Sequence, residues 1–457
     1  MPDLIFVCKE RSGRLKRLKQ GALVALSIFL TGCSALNFSV EGLVDAPKLT
    51  EEQSKIHEAL TNSVGNNITL KYPRNGEHRS AFVIANLDDD AANEAIVFYE
   101  YKEGSRDKGI MMNVLDTDED GNWQSVREMR VPGSDVDKVM VAPLGAGSRR
   151  NVIVGYQNAS TEDKTLELYS YTGEEMKKIG SDTYSVLESI DLDLDGNNEL
   201  IAIQKTVNAE TETVSAKASL LSIEEGELKR SKTVDMLDNV AKYSKVTQGL
   251  LSDGRHALFI DSINLDGNMQ TEILYYRYST LQNPIQQRKE KLLALCTSDP
   301  VRGSCVDIDG DGVIEIPSLK AMTGYENVEN AQVLYQVTWN VYKDFYTLEE
   351  KYKGYSSGDM FLAFPKRWEG KVTVKQELET GEVVFYKYTG DINTSTTELL
   401  RLTSAIRDDD KKMTDAGYEQ VKSKGQVIYY VKFPEQTQDQ LVLTIDEVKN
   451  NFYITDN

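Results

Sequence analysis

An acidic loop between two apolar segments recurs along the sequence and limits what the chain can fold into. Two copies are complete, IDLDLDGNNELIAI (190–203) and VDIDGDGVIEI (306–316), and a near copy, IANLDDDAANEAIVF (84–98), has Ala91 in place of a glycine. Each copy offers side-chain oxygens at loop positions one, three, five and nine. In chain order these residues are Asn86, Asp88, Asp90 and Glu94; Asp191, Asp193, Asp195 and Glu199; and Asp307, Asp309, Asp311 and Glu315. Carboxylates this close repel one another, so the spacing requires a cation or dense backbone hydrogen bonding.

Degenerate copies extend the repeat through the middle of the chain. LFIDSINLDGNMQTEILYY (258–276) keeps Asn264 and Asp266, but its acidic residue, Glu272, comes two positions late. KVMVAPLGAGSRRNVIVGY (138–156) keeps the apolar segments and has lost the carboxylates. The copies start near positions 86, 142, 191, 264 and 307, about 43 to 73 residues apart. A period of this size indicates one small supersecondary unit per repeat.

The segments between the loops alternate polar and apolar residues, which indicates strands rather than helices. Hairpins with glycine-containing turns are predicted at 113–131, 166–180 and 218–234. One small sheet cannot bury both faces, but sheets stacked around an axis bury them and leave only short edges. We therefore predict a mainly β fold in which residues 80–356 form a β-propeller-like repeat domain of about five or more blades. A β-sandwich with decorated turns is the alternative.

The chemistry of the loops suits a hard cation. With Asp307 at position one, Gly312 permits a sharp turn at position six and the Val313 carbonyl is available at seven. Ca²⁺ takes six to eight oxygen ligands at about 2.3–2.6 Å in a flexible cage. An EF-hand needs a bidentate glutamate at position twelve, where the two complete loops have Ser318 and Ala202. The loops are therefore not EF-hands.

The loop spacing resembles the calcium-binding loops of FG-GAP/VCBS-type repeats, which occur in integrin-α-like propellers and in bacterial surface proteins. The resemblance covers about residues 80–355, without a clear FG-GAP tetrapeptide. It implies that the twelve loop residues named above bind structural Ca²⁺. The alternative is that these acidic residues only bond to the backbone of their own turns. A related stretch, DTDEDG (116–121), has Gln124 at the ninth position and is predicted to cap a hairpin tip.

Residues 1–32 are predicted to be a lipoprotein signal peptide. A basic segment precedes an apolar run, GALVALSIFL (21–30), that is too short to span a bilayer well. The run ends in a stretch, LTGC (30–33), that resembles the lipobox of bacterial lipoproteins, which implies that Cys33 becomes the lipidated first residue. A plain signal peptide or a core helix is the alternative. The resemblance implies an extracytoplasmic, membrane-anchored protein, in which residues 33–79 form a tether and a short helix near Glu51–Asn62.

Two cysteines remain once Cys8 leaves with the signal peptide and Cys33 is lipidated. Cys296 and Cys305 are an even pair with eight residues between them, and in an oxidising compartment such spacing suits a disulfide. A free pair is the alternative. A zinc site is not expected there, because the nearest histidine in the sequence is His256.

The segment 357–457 does not continue the repeat pattern and is predicted to be a separate small α+β domain. Strands are predicted within 359–388, 398–407 and 427–434, and a helix at 443–452. Thr444 is the candidate N-cap of that helix. The core of this domain is predicted to be aromatic. Its members are Phe361, Phe364, Trp368, Phe385, Tyr386 and Tyr388.

Net charge and motifs restrict the function. The formal charge is −20, and removing the signal peptide, with six basic and two acidic residues, leaves −24. Nucleic acid and anionic membrane surfaces are therefore not expected partners. The sequence carries no nucleophile-elbow, zinc-protease, P-loop or dinucleotide-binding motif, and its three histidines are scattered.

These observations favour a lipid-anchored binding protein with structural Ca²⁺ loops, whose partner is another envelope protein or a cell-wall polymer. The alternatives are a hydrolase acting on carbohydrate or peptide near the envelope, and an accessory or sensor subunit of a membrane complex. A deep pocket with two carboxylates outside the acidic loops would favour the hydrolase. A flat apolar or aromatic patch would favour binding.

Overall fold

The computed structural model describes residues 49–102, 109–144, 149–159, 163–211, 213–301, 303–328, 333–435 and 439–455. The signal peptide and the lipobox predicted at Cys33 lie outside the described residues. Within these ranges, none of the helices has the length and apolarity needed to cross a bilayer. By contact density the chain divides into two units, Met1–Glu58 and Ala59–Asn457.

Helix α1 (Glu51–Val64) forms close to where the sequence predicts a short helix. Thr50 and Gln53 make a reciprocal cap at its start. The Gln53 N–H donates to Thr50 Oγ1 and the Thr50 N–H donates to Gln53 Oε1, each at 3.1 Å. Both bonds satisfy N–H groups that the first turn of a helix leaves without partners.

The second unit is mainly β, and its described residues form six antiparallel sheets, none of which closes on itself. Sheet 1 contains β1 (Ile68–Leu70), β2 (Phe82–Ala85), β3 (Glu94–Tyr101), β4 (Ile110–Thr117) and β5 (Trp123–Arg130). Sheet 2 contains β6 (Asp135–Ala142), β7 (Asn151–Gln157), β8 (Lys164–Tyr171) and β9 (Met176–Tyr184). Sheet 3 contains β10 (Val186–Ile190), β11 (Glu199–Val207), β12 (Val214–Glu224) and β13 (Glu227–Asp235).

The remaining three sheets have five strands each. Sheet 4 contains β14 (Val240–Leu250), β15 (His256–Asn264), β16 (Met269–Arg277), β17 (Thr280–Gln282) and β18 (Thr297–Ser298). Sheet 5 contains β19 (Ile316–Ala321), β20 (Tyr335–Lys343), β21 (Thr347–Ser357), β22 (Met360–Ala363) and β28 (Phe452–Ile454). Sheet 6 contains β23 (Val372–Gln376), β24 (Val383–Lys387), β25 (Glu398–Ile406), β26 (Glu419–Lys424) and β27 (Val427–Lys432).

Strands that follow one another in the chain are mostly neighbours in a sheet. Sheets 2 and 3 run in strict chain order, and β14 to β17 do the same in sheet 4. The hairpins predicted at 113–131, 166–180 and 218–234 correspond to β4–β5, β8–β9 and β12–β13. Sheet 6 departs from chain order at its end, because β27 lies between β25 and β26.

Each sheet shares an apolar core with the next sheet along the chain. Burying one large aliphatic or aromatic side chain contributes about 1.5–3 kcal/mol, so these shared cores are what hold neighbouring sheets together. Representative pairs from successive cores are Phe98 and Tyr156, Leu168 and Leu200, Ile203 and Ile260, Phe259 and Ile316, and Leu362 and Phe385.

Short helices decorate the later part of the chain. They are α2 (Pro284–Gln287), α3 (Lys289–Leu292), α4 (Asp410–Asp415) and α5 (Ile445–Asn451). Thr444 caps α5, as the sequence predicts. Its Oγ1 accepts from the Glu447 N–H at 3.2 Å, and the Glu447 carboxylate accepts from the Thr444 N–H at 2.9 Å.

The domain boundary predicted between residues 356 and 357 falls inside β21. After a turn at Gly358, whose φ is +59°, the buried strand β22 pairs with β21. Strand β28 then pairs with β22. Two strands assigned by sequence to a separate domain therefore complete the sheet that begins with β19.

The predicted aromatic core divides between two clusters. Trp368 and Phe385 are buried between sheets 5 and 6, with Phe364 packed against them. Phe361 lies instead in a smaller cluster with Trp339, their ring centroids 6.0 Å apart. The other two members, Tyr386 and Tyr388, are only half-buried.

The disulfide predicted between Cys296 and Cys305 is not formed, since both thiols are free and buried. The Cys305 thiol lies 3.3 Å from Asp261 Oδ2, which also accepts from the Cys305 N–H at 3.0 Å. This carboxylate holds Cys305 in place without a disulfide. Burial raises the pKa of each thiol, so both stay protonated and unreactive at neutral pH.

Candidate metal centre

The second acidic loop connects β10 to β11 and folds around the side chain of Asp191. Its carboxylate accepts from the Leu194 N–H at 2.7 Å and from the Gly196 N–H at 3.0 Å. Leu194 and Gly196 have φ of +64° and +92°, a left-handed conformation that costs Leu194 about 1–2 kcal/mol. The loop therefore curls into a compact turn with its side-chain oxygens grouped together.

The same backbone frame occurs in all three loops. The glutamate at position nine accepts a hydrogen bond from the N–H that follows position one. These bonds are Leu87 N to Glu94 Oε2 at 2.6 Å, Leu192 N to Glu199 Oε2 at 2.7 Å, and Ile308 N to Glu315 Oε2 at 2.9 Å. The residue at position four is left-handed in each loop. These residues are Asp89, Leu194 and Gly310.

The substitution of alanine for glycine in the first loop is accommodated locally. Gly196 and Gly312 are left-handed at position six, where the first loop has Ala91. In the first loop the Asn86 amide instead donates to the Asp90 carbonyl oxygen at 2.7 Å. Asn86 Oδ1 also accepts from the Asp89 N–H at 2.8 Å, which matches the role of the aspartate at position one in the other loops.

Three groups of carboxylates come together within the described residues. In each group, oxygen atoms from the three residues lie within 4.8 Å of one another, a separation that one cation could bridge. The groups are Asp88, Glu94 and Asp116; Asp191, Asp193 and Glu199; and Asp307, Asp309 and Asp311. Of the predicted ligands, Asn86, Asp90, Asp195 and Glu315 stay outside these groups. Asp90 and Asp195 instead accept from backbone N–H groups at position seven.

The first group contains a residue whose role the sequence did not reveal. Asp116 was predicted to cap a hairpin tip, but it lies at the end of β4 beside Asp88 and Glu94, where the Tyr171 hydroxyl donates to it at 2.8 Å. Asp118 does cap the tip and accepts from the Asn122 N–H at 2.9 Å. A prediction that β3 pairs with β4 would have placed Asp116 near Glu94.

Burial and mutual repulsion disturb the glutamates of the first two loops. Burial, together with the charges of Asp88 and Asp116, raises the pKa of Glu94 to about 7, although the hydrogen bond from the Leu87 N–H opposes the shift. One oxygen of Glu94, Oε1, is buried and has no hydrogen-bond partner among the described residues. Burial followed by the charge of Asp193 also raises the pKa of Glu199. A bound dication would relieve both costs.

The third loop already contains a cation. The Lys351 ammonium lies 2.9 Å from Asp309 Oδ2, 2.7 Å from Asp311 Oδ2 and 2.8 Å from Glu315 Oε1. The neighbouring Tyr352 hydroxyl donates to Asp309 at 2.6 Å. Burial raises the pKa of Glu315 to about 7 although Lys351 opposes the shift.

The degenerate copy at 258–276 does not form a comparable site. Asn264 caps the tight β15–β16 turn by accepting from the Asp266 and Asn268 N–H groups at 3.0 and 2.9 Å. Glu272 lies away from that turn, where it accepts from the Leu237 N–H at 2.8 Å and from the Asn283 amide at 2.7 Å. Glu272 comes two positions later than the glutamates of the other loops, and its side chain does not reach the turn.

Two hairpin tips in sheets 4 and 5 expose aromatic rings. Tyr278 is 80% exposed and Phe345 is 77% exposed, and each has a positive φ, +52° and +58°. The guanidinium carbon of Arg277 lies 4.7 Å from the Tyr278 ring centroid and 5.6 Å from that of Phe345. Left-handed backbone is unusual for bulky residues, so these rings are displayed at some cost in stability.

The two largest described cavities give little support to acid–base catalysis. One, of about 360 Å³, contains Asp137, which bonds to Lys164 at 2.8 Å and to Tyr184 at 2.6 Å. Burial acts to raise its pKa, but these partners outweigh burial and hold the pKa below its usual value. The other, of about 370 Å³, contains Glu350 and Glu369, both paired with Lys353. General acids need a raised pKa, which these ion pairs oppose.

No family model matches the chain, and no curated protein matches it. Among solved structures the chain is similar to the exotype rhamnogalacturonan lyase YesX, with 10% sequence identity over 73% of each chain. The TM-score of that comparison is 0.29, which is too low to carry an argument about fold or activity.

Proposed function

We propose that the chain is a lipid-anchored, extracytoplasmic binding protein whose propeller-like sheets are stabilised by structural Ca²⁺. The observation that carries the metal part is the first acidic group, in which a buried glutamate oxygen, Glu94 Oε1, has no described partner. The anchor rests on the lipobox-like sequence ending at Cys33. The partner is another envelope protein or a cell-wall polymer.

Two features support the propeller arrangement. Consecutive sheets share apolar cores, as successive blades of a propeller do. The acidic loops of sheets 1 and 3 occupy the same place, between the strand that opens the repeat and the strand that begins with the position-nine glutamate. Those second strands are β3, which begins at Glu94, and β11, which begins at Glu199. We propose five or more blades, with sheets 1 to 5 as the repeating units.

Calcium fits the first two carboxylate groups, which contain Glu94 and Glu199, better than a transition metal does. The donors that the structure brings together are carboxylates, ligands that suit hard cations better than softer metals. Extracellular sites of this kind have dissociation constants of about 10⁻⁴–10⁻³ M. An ion at ten times its dissociation constant contributes about 1.4 kcal/mol, so two sites would contribute about 3 kcal/mol.

The chain beginning after Cys33 should therefore unfold at a higher temperature in Ca²⁺ than in EDTA. Asp88→Ala and Asp193→Ala should each remove about half of the calcium-dependent gain, because each breaks one group. Differential scanning calorimetry measures the effect, with Mg²⁺ as the ion control. Asp120→Ala, at a hairpin tip outside the three groups, should keep the full gain. Equal melting temperatures in Ca²⁺ and EDTA would remove the calcium part of the proposal.

The exposed aromatic tips support the binding part. Tyr278 and Phe345 leave most of their area in water, and left-handed backbone costs about 1–2 kcal/mol per residue. Rings retained at such positions contribute little to the fold, whereas aromatic and arginine side chains dominate binding surfaces. The Arg277 guanidinium lies against both rings, so the three side chains form one exposed cluster.

A Tyr278→Asn/Phe345→Asn variant should keep its stability, since asparagine tolerates left-handed backbone and offsets the lost cation–π contacts of about 0.5–1 kcal/mol each. It should also sediment at least tenfold less with insoluble peptidoglycan than the parent chain. Leu378→Asn, which alters an exposed apolar residue in the turn between β23 and β24, is the matched control. If the double variant melts well below the parent, the rings are structural and this surface is not the binding surface.

A further inference from the structure

We infer that Lys351 takes the place of a metal ion in the third acidic loop, so that this loop is neutralised by the chain itself. The inference rests on the proposed binding of Ca²⁺ by the first two loops. The three loops share one backbone frame. On this inference the first two need a metal ion and the third does not.

The contacts of Lys351 account for its whole bonding capacity. An ammonium group has three donors, and three carboxylate oxygens lie within 2.9 Å of Nζ. The three acceptors belong to loop positions three, five and nine, three of the four positions predicted to hold a cation. The side chain is 21% exposed, so these contacts are partly shielded from water.

The position-nine glutamate shows the difference between the loops at the level of one atom. In the third loop Glu315 Oε1 accepts from Lys351 at 2.8 Å. In the first loop the matching atom, Glu94 Oε1, is buried without a described partner. The other oxygen of each glutamate accepts the equivalent backbone N–H, from Ile308 and Leu87. The backbone frame around the glutamate is the same, and Glu315 has a cationic partner where Glu94 has no described partner.

A β-bulge directs the lysine into the loop. In the ladder between β20 and β21, Trp339 pairs with Tyr352 and the next residue, Asn340, pairs with Glu350. Lys351 is therefore the extra residue of the bulge. Bulges re-aim side chains that a regular strand would send elsewhere, and this one aims an ammonium at three carboxylates.

The consequence is an uneven dependence on calcium along the chain. The first two carboxylate groups, in the loops of sheets 1 and 3, depend on bound Ca²⁺. The loop that leads into sheet 5 is held by the ammonium of Lys351, which is part of the chain and which no chelator removes. Chelation should therefore increase amide hydrogen exchange at 86–94 and 191–199, and leave exchange at 307–315 unchanged.

The decisive experiment counts Ca²⁺ bound at equilibrium by the full chain after Cys33, by Lys351→Met and by Lys353→Met. Lys353 lies two residues along the same strand and pairs with Glu350 and Glu369, so it controls for the loss of a charge from β21. We expect two ions for the parent, two for Lys353→Met and three for Lys351→Met, because removal of the ammonium opens the third group.

The outcomes separate this inference from the proposed function. Two ions for both the parent and Lys351→Met, or three for the parent, would overturn the inference and leave calcium binding intact. No ions for the parent but one for Lys351→Met would overturn the proposed sites and uphold the role of the lysine. No ions for either protein would overturn both.

A second comparison covers the case in which Lys351→Met does not fold. Glu315→Gln should lower the melting temperature by the same amount in Ca²⁺ and in EDTA, because its partner is Lys351. Glu199→Gln should lower it in Ca²⁺ and not in EDTA. A calcium-dependent loss for Glu315→Gln would contradict the inference.

Discussion

A Glu272→Gln variant is expected to be more stable than the parent by about 3 kcal/mol above pH 7, and the difference should vanish near pH 4. Burial raises the pKa of Glu272 to about 7, although the Asn283 amide and the Leu237 N–H oppose the shift. Its Oε2 has no described hydrogen-bond partner. A shift from 4.5 to about 7 corresponds to about 3 kcal/mol at 1.36 kcal/mol per pH unit.

The direction follows from proton binding. Between pH 4.5 and 7 the folded protein keeps the Glu272 proton while the unfolded chain has released it. Stability therefore falls as pH rises through this window and levels off above the folded pKa. Glutamine cannot ionise, and its amide oxygen can still accept from the Leu237 N–H. The variant should thus lose this part of the pH dependence.

Urea unfolding of parent and variant at pH 4, 6 and 8 measures the difference in their free energies of unfolding. Because both proteins contain the acidic loops, subtracting one pH profile from the other removes the contributions of those loops. Glu290→Gln, on the exposed side of α3, is the matched control and should change the profile little. A difference that is constant across the three pH values would mean that Glu272 stays ionised in the fold.

Trp368→Ala is expected to destabilise sheets 5 and 6 together by about 3–5 kcal/mol, the usual cost of deleting a buried tryptophan. The indole packs 5.3 Å from the Phe364 ring and 5.5 Å from the Phe385 ring, measured between centroids. Its Nε1–H donates to the Leu441 carbonyl at 2.6 Å. The variant leaves a cavity and an unpaired buried carbonyl in a core that both sheets share.

Calorimetry of Trp368→Ala should show one transition at a lower temperature for both sheets. Trp368→Phe keeps most of the ring and loses the bond to Leu441, so it should cost less and separate packing from hydrogen bonding. A distinct early transition of residues after 357, with sheet 5 unaffected, would instead support the independent domain that the sequence predicts.

The turn geometry of the acidic loops could be anticipated from the sequence because it is local. Asp191, Leu194 and Gly196 lie within six residues, and spacing alone determines which N–H groups the first carboxylate can reach. The strands and most hairpins followed from alternation, since a strand that is half-buried must alternate. The helix cap at Thr444 followed from its capping-box pattern for the same reason.

What spacing could not give are the partners that arrive from other strands. Asp116 reaches the first loop through strand pairing, and Lys351 reaches the third from a bulge 36 residues beyond Glu315. A bulge shifts the alternation of a strand by one residue, so no periodic pattern points to the lysine. The cysteine spacing misled for a similar reason, because the partner of Cys305 is Asp261 from β15.

The pairing of β28 with β22 has a consequence for the order in which the protein can be completed. Strand β22, with four buried apolar residues, receives its outer neighbour only after about 90 further residues have been made. Until then sheet 5 presents an open apolar edge, the kind of edge that pairs with other chains. Incomplete chains therefore pass through a stage that is prone to aggregation, and the docking of residues 452–454 ends it.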